Sequence, residues 1–313
     1  MSILITGAAG FIGSNLVARL EDEWIFLVDS FGTSDKWNNV RNRKSPFAEI
    51  IDPNQLESWL EREEHIPDII VHLGAVTDTG ATDADFVVEN NLRFSKRLLN
   101  WATERDIPFI YASSAAVYGH GPCDDENIHE ELKPLNLYAW SKLEFDKSIP
   151  YLTDPSFLVG LRFFNVYGPN EYHKGSMSSI IYQYFCKRDL ALFDQFDGKE
   201  PERDFIYVDD VIDVLLFFIK KAVEKEKLQG IFNVGTGEAT TFLDMCTLAA
   251  RVMDLHPNFD RKPFPESLLP SYQFSTQATT KKLRAAGYEK PFTPPSVGVR
   301  KYFEKLMSND PYV

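Results

Sequence analysis

Tyr138 and Lys142 stand four residues apart in the stretch Pro134-Leu-Asn-Leu-Tyr-Ala-Trp-Ser-Lys142. On a helix that spacing places both side chains on one face. A phenol titrates at about pH 10, too high for a base at neutral pH. A lysine ammonium beside it favours the phenolate, and proton exchange with a substrate hydroxyl becomes feasible. Such spacings are common on ordinary helix surfaces, so the pair depends on its companions. Ser113 and Ser114 supply one, following the apolar run 109–112. A serine hydroxyl there could donate to a substrate oxygen while Tyr138 exchanges the proton.

The elements that must hold these groups show in the hydrophobic pattern. Short apolar runs at 3–6, 24–28, 69–73 and 109–112 read as buried strands, and segments 12–21, 53–63 and 84–104 as helices between them. That alternation predicts a parallel, doubly wound α/β sheet. The run 157–163 extends the sheet after the Tyr138 helix. Beyond Gly168, Pro and Gly punctuate a looser stretch, followed by a strand at 205–208 and a helix at 211–220 capped by Asp209 and Asp210. A strand at 231–234 and helices at 242–253 and 295–307 complete the pattern.

Gly7-Ala-Ala-Gly10-Phe11-Ile12-Gly13 joins the first strand to the first helix. Glycines let a backbone turn sharply and approach a pyrophosphate, which the helix N-terminus then holds through its free N–H groups. The position after a strand and before an apolar helix favours a dinucleotide over an ordinary turn. The expected architecture is a Rossmann-type doubly wound parallel sheet with a smaller α/β substrate lobe. Residues 1–168 and 203–240 would bind the dinucleotide, and 169–202 and 241–313 the substrate.

Asp29 ends the second strand, where a carboxylate binds ribose hydroxyls and favours NAD. Lys36 follows in the same loop, with Arg41, Arg43 and Lys44 behind it. Those cations could receive a 2′-phosphate or simply be solvated, so NAD and NADP both stay open. Gly74, Ala75, Val76 and Thr77 follow the third apolar run and can pass beneath the pyrophosphate and nicotinamide ribose. Asn90 either holds backbone or ribose there or is a tolerated helix residue.

Composition narrows the class. The 313 residues are 44% hydrophobic and 25% charged, ordinary for a globular protein, and the net charge of −13 argues against a nucleic-acid or anionic-membrane partner. Cys123, Cys186 and Cys246 show no CxxC spacing, which points to no metal site and a reducing compartment. The opening Met-Ser-Ile-Leu-Ile-Thr reads as a strand rather than a signal peptide, and the expected location is the cytoplasm.

The Ser114, Tyr138 and Lys142 set, with the glycine turn, resembles the extended short-chain dehydrogenase/reductase superfamily over residues 1–168 and 203–237, including Arg203-Asp-Phe-Ile-Tyr-Val-Asp-Asp210 and Asn233-Val-Gly-Thr-Gly237. The continuation His173-Lys-Gly-Ser-Met177, the later Ser271-Tyr-Gln-Phe-Ser-Thr-Gln277 and the run Leu283–292 resemble the ADP-L-glycero-D-manno-heptose 6-epimerase family along nearly the whole chain. That resemblance implies inversion at C6″ of an ADP-heptose by transient oxidation, with NADP held throughout. It implies Tyr138 and Lys174 as two acid/base groups, Lys142 also on the nicotinamide ribose, and Phe11, Ile12, Ser30, Leu73, Val166 and Lys174 among the cofactor contacts. Substrate contacts would be Ser114, Asn165, Ser176, Arg203 and Tyr272, and the assembly a homo-oligomer, a pentamer by this likeness.

Chemistry agrees with two groups: inverting a hydroxyl-bearing carbon requires hydride on both faces of a ketone, and a proton-transfer group is useful on each side. Arg203 suits a diphosphate through its planar fork, although it could instead pair with Asp204 at a strand start. Tyr272 could simply pack. Three departures stand out: segment 191–200 is shortened or shifted, Gln183 replaces an expected histidine, and loop 41–46 diverges. A UDP-hexose 4-epimerase and a non-catalytic nucleotide sensor are the alternatives. A 4,6-dehydratase fits poorly, because Ser114-Ala115-Ala116 lacks an adjacent acid pair.

Overall fold

The computed structural model describes residues 1–45, 47–62, 66–124, 131–151, 155–188, 190–257 and 259–313. In chain order its strands are β1 (Ser2–Thr6), β2 (Trp24–Val28), β3 (Phe47–Ile51), β4 (Ile69–His72), β5 (Phe109–Ser114), β6 (Phe157–Phe163), β7 (Asn165–Tyr167), β8 (Leu192–Phe193), β9 (Glu202–Tyr207), β10 (Leu228–Val234), β11 (Ala239–Thr241) and β12 (Arg261–Lys262). The α-helices are α1 (Phe11–Arg19), α2 (Leu56–Leu60), α3 (Ala84–Val88), α4 (Phe94–Glu104), α5 (Leu137–Ser148), α6 (Ile180–Lys187), α7 (Val208–Val223), α8 (Phe242–Val252), α9 (Lys281–Ala285) and α10 (Pro295–Leu306).

Seven strands form one parallel sheet in the order β10-β6-β5-β4-β1-β2-β3. The apolar runs are unbroken because both faces are covered. On one face Ile3, Ile5, Ile25 and Val71 pack with Leu16 and Val17 of α1 and Val211 and Leu215 of α7. On the other, Leu4, Phe26 and Ile70 pack with Trp59, Leu98, Leu99 and Phe145. The expected doubly wound α/β class is therefore the observed one.

A three-stranded sheet, β11-β9-β7, lies past the end of β6, and β8 pairs with β12. Met245 and Cys246 of α8 and Tyr302 and Phe303 of α10 join the same core as α1 and α7. No helix among the described residues is long and apolar enough to cross a membrane.

Several elements differ from the sequence expectation. Strand β3 was not expected: Phe47-Ala-Glu-Ile-Ile51 alternates weakly and gains its place only by pairing with β2. The helix expected at 53–63 is a short 3₁₀ turn plus α2, and its last residue lies outside the described set. Helix 84–104 is interrupted at Glu89–Arg93 by a π turn. Asp209 and Asp210 sit inside the first turn of α7 rather than capping it, and Asp210 instead accepts from Thr293 N at 2.7 Å and Thr293 Oγ1 at 2.9 Å.

Candidate active site

β1 and β4 are neighbours although β2 and β3 lie between them in the chain, so the crevice beyond their carboxyl ends is the ligand position of such sheets. Gly7 takes φ +67°, and a Cβ there would stand 2.7 Å from Gly74 N. A Cβ on Gly13 would stand 2.1 Å from Gly7 O. The turn therefore closes only with glycine, and its backbone stays bare at the N-terminus of α1. Gly10, the N-cap, is extended and makes no side-chain cap bond, which leaves the helix amides for a ligand. These features fit a pyrophosphate.

A cleft of about 930 Å³ opens here. It is lined by Gly7, Gly10, Phe11, Ile12 and Gly13 of the first turn, and by Asp29, Ser30 and Lys36 of the second. Leu73, Gly74, Ala75, Val76, Thr77 and Asn90 follow, and Ser114, Tyr138, Lys142, Asn165, Val166 and Lys174 line the same space. The expected cofactor and proton-transfer residues are thus brought together from the ends of β1, β2, β4 and β5, from β7, from α1 and α5, and from the turns that carry Asn90 and Lys174.

Asp29 is buried, with both oxygens engaged: Oδ2 accepts from Ala9 N at 2.7 Å, and Oδ1 from Lys36 Nζ at 2.5 Å. The remaining cations of that loop turn away. Arg41 pairs with Asp310 at 2.7 Å, Lys44 pairs with Glu21 at 3.2 Å, Arg43 donates to Val40 O at 3.0 Å, and none lines the cleft.

Helix α5 starts at the N-cap Asn136, whose Oδ1 accepts from Ala139 N at 2.9 Å. Tyr138 follows in the first turn. Burial raises its phenol above the ordinary range, and a polar contact with Ser114 opposes that shift. The Lys142 Nζ donates to Ala112 O at 2.8 Å. Burial lowers its ammonium to about 8, with Asp146 opposing. At Tyr138 burial is thus the larger influence and the Ser114 contact the smaller. Lys174 sits in the loop after β7, its Nζ 5.4 Å from the Phe11 ring centre. Burial lowers it too, opposed by Glu171.

A buried polar chain fixes the floor. Gly74 N donates to Thr6 Oγ1 at 3.0 Å, Thr6 Oγ1 meets His72 Nδ1 at 2.6 Å, and His72 Nε2 meets Ser95 Oγ at 2.7 Å. Ser95 donates to Asn91 O at 2.8 Å. Asn91 then clasps Val76 through both backbone groups and donates to Ser141 Oγ at 3.0 Å. Ser141 donates to Tyr138 O at 2.7 Å, which closes the chain onto α5. One tautomer satisfies every link: His72 neutral, accepting from Thr6 and donating to Ser95. Burial, with Lys142 nearby, lowers His72 to about 3. Asn90, which the sequence singled out, lines the cleft but donates to Phe86 O at 2.8 Å. Asn91 and His72 carried no motif signal; the doubled Asn in a helix was the one trace.

The expected substrate set is split. Asn165 lines the main cleft, whereas Ser176 is exposed and outside it. Its exposure follows from Gly175, whose φ of +55° breaks the 3₁₀ turn Tyr172–Met177. Tyr272 lines an adjoining cavity of about 130 Å³, which shares Ile180 and Phe242 with the main cleft. Arg203 is buried between the rings of Phe242 at 5.5 Å and Tyr272 at 5.1 Å, and donates to Phe274 O at 3.0 Å. Its neighbour Asp204 does not pair with it: that carboxylate accepts from Thr236 N, Gly237 N and Ala278 N at 2.7, 2.8 and 3.0 Å. Gln183 lines the cleft and donates to Ser178 O at 2.9 Å.

A nucleotide-binding crevice beside a Ser, Tyr and Lys set defines a dehydrogenase-like sugar-nucleotide site, and the chain belongs to the NAD dependent epimerase/dehydratase family, whose pattern matches residues 3–235. The family-level expectation is met. Across 98% of this chain and 98% of its counterpart, it is 38% identical to an ADP-L-glycero-D-manno-heptose-6-epimerase of Fusobacterium nucleatum subsp. nucleatum. It is 39% identical, over 99% of each chain, to the enzyme so named in Nitratidesulfovibrio vulgaris. The crystal structure of Helicobacter pylori ADP-L-glycero-D-manno-heptose-6-epimerase superposes with a TM-score of 0.83 at 27% identity, covering 98% of this chain and 96% of that one.

Proposed function

We propose that the protein inverts C6″ of ADP-D-glycero-β-D-manno-heptose to give the L-glycero epimer, with NADP as the retained cofactor. The observation that carries this reading is the meeting of Tyr138, Ser114 and Lys174 in one cleft that also contains the glycine turn. A nicotinamide held by the glycine turn and Lys142 would supply the reversible hydride transfer at the carbinol carbon that no side chain can. The side chains manage the protons. Burial lowers the Lys174 ammonium, opposed by Glu171, and raises the Tyr138 phenol, opposed by Ser114, and both groups stand in one cleft where each can exchange a proton with the substrate. Ser114 lies beside Tyr138 and can hold the substrate oxygen between them.

NADP is favoured over NAD by the Asp29 and Lys36 pair. A lone Asp29 would repel a 2′-phosphate, but Lys36 neutralises it and presents its ammonium at the cleft wall. Arg203, Tyr272 and the cavity beside them would receive the ADP portion, and Asn165 and Ser176 the sugar end. Residues 1–168 and 203–240 would then serve the cofactor and the remainder the substrate. A cytoplasmic homo-oligomer is the setting we assign, in keeping with the net charge of −13 and three free cysteines.

Purified protein incubated with ADP-D-glycero-β-D-manno-heptose should yield both C6″ epimers by chromatography. No interconversion with either NADP or NAD loaded would reject the proposal. Turnover of UDP-galactose in its place would make the protein a hexose 4-epimerase. Nucleotide binding with no hydride transfer to any sugar would leave a sensor.

A further inference from the structure

Glu171 is fully buried, and no step of the proposed chemistry uses it. Its Oε1 accepts from Ser179 Oγ at 2.7 Å and from Gly168 N at 3.3 Å, and its Oε2 accepts from Ser179 N at 2.5 Å. Gly168 ends the stretch leaving β7, and Ser179 is the N-cap of α6. One carboxylate therefore joins the two ends of the loop that carries Lys174. The Glu171 carbonyl also accepts from Lys174 N at 3.0 Å. The titratable groups facing it are Lys174 from the loop itself, Tyr172 beside it, Tyr182 from α6 and Tyr302 from α10. Among these the cation is Lys174. Burial raises the Glu171 carboxyl, the Ser179 bonds oppose that first, and the charge of Lys174, the candidate acid/base group, opposes it next.

We infer that Glu171 is a positioning residue for Lys174: by tying Gly168 to Ser179 it holds the intervening loop so that the Lys174 side chain stands over Phe11 at the cleft. The inference rests on the proposed acid/base role of Lys174. A purely structural clamp would fix the loop and leave the titration of Lys174 alone. A positioning carboxylate also favours the ammonium, which makes the two roles separable.

The test is the pH dependence of Lys174 acylation in the full-length protein, followed by peptide mass spectrometry, with exposed Lys220 as internal reference. In Glu171→Gln, which keeps an acceptor but removes the charge, the Lys174 midpoint should fall by about 1 pH unit, and Lys220 should not move. Glu171→Asp should restore the midpoint. A Glu171→Gln midpoint equal to that of the wild type would overturn the inference. Should Glu171→Gln not fold, Ser179→Ala removes one of the three donors and leaves the carboxylate. It should raise the Lys174 acylation rate several-fold at fixed pH, and an unchanged rate would overturn the inference equally. A shifted midpoint together with full activity of Lys174→Met would uphold the positioning and remove the acid/base role. No shift together with a dead Lys174→Met enzyme would do the reverse.

Discussion

The side-chain amide of Asn91 is bonded to both backbone groups of Val76: its Oδ1 accepts from Val76 N at 2.8 Å and its Nδ2 donates to Val76 O at 2.9 Å. The same Nδ2 reaches Ser141 on the Tyr138 helix at 3.0 Å. One residue therefore sets the spacing between the loop after β4 and the helix that presents the phenol. Asn91→Ala leaves two backbone groups without partners, each worth about 1–3 kcal/mol when buried. We expect a loss of about 2–3 kcal/mol in denaturant unfolding and weaker cofactor retention. A change below about 0.5 kcal/mol would mean that water takes over both bonds.

Tyr138→Phe and Lys174→Met should each lower the epimerisation rate by a factor on the order of 10²–10⁴, the usual contribution of a positioned acid or base. Cofactor content, read by absorbance of the denatured supernatant, should survive in Tyr138→Phe. Near-normal turnover in Lys174→Met would sink the reading with two proton-transfer groups.

Lys36→Ala leaves Asp29 charged and unneutralised at the ribose end of the cleft. A charge-assisted hydrogen bond is worth about 1.5–3 kcal/mol, so the ratio of NADP to NAD affinity should fall by about 10- to 100-fold in fluorescence titration. An unchanged ratio would place the discrimination elsewhere.

His72 titrates at about 3 in the folded chain, lowered first by burial and then by Lys142. An unfolded histidine titrates at about 6.5, so the unfolded state takes up the proton first as the pH falls. Stability is therefore full above about pH 6.5 and is lost on descent toward 3. His72→Gln, less stable at neutral pH, should lose less between about pH 6.5 and 4 than the wild type does. Parallel stability curves for the two proteins would refute a buried neutral histidine.

The sheet was legible because its strands are buried on both faces and read as unbroken apolar runs, and the glycine turn was legible because only glycine closes it. Strand β3 and the π turn were not, since pairing with β2 and a one-residue insertion leave no periodic trace. Tyr138, Ser114 and Lys174 could be named from spacing and resemblance, and the structure brings all three to one cleft. The electrostatics around them could not: Lys142 turns to the Ala112 carbonyl, a choice made by the strand it packs on. Asn91, His72 and Glu171 were invisible because each acts through partners that no motif joins to it: the Val76 backbone, the Thr6 and Ser95 hydroxyls, and Gly168 with Ser179. Asn90 drew the attention that its neighbour merits.

The π turn at Glu89–Arg93 has a consequence for altered chains. It holds one residue more than a regular turn, which lets adjacent Asn90 and Asn91 serve the cleft and the Val76 loop at once. Deleting a single residue there would restore an uninterrupted α-helix, and because the π turn takes up its extra residue within one turn, α3 and α4 would keep about the same relative orientation. What the deletion would lose is the local bulge that sets Asn90 at the cleft and Asn91 against Val76. In this stretch, then, chain length places the two asparagines, and a one-residue gap would take one of them from its partner.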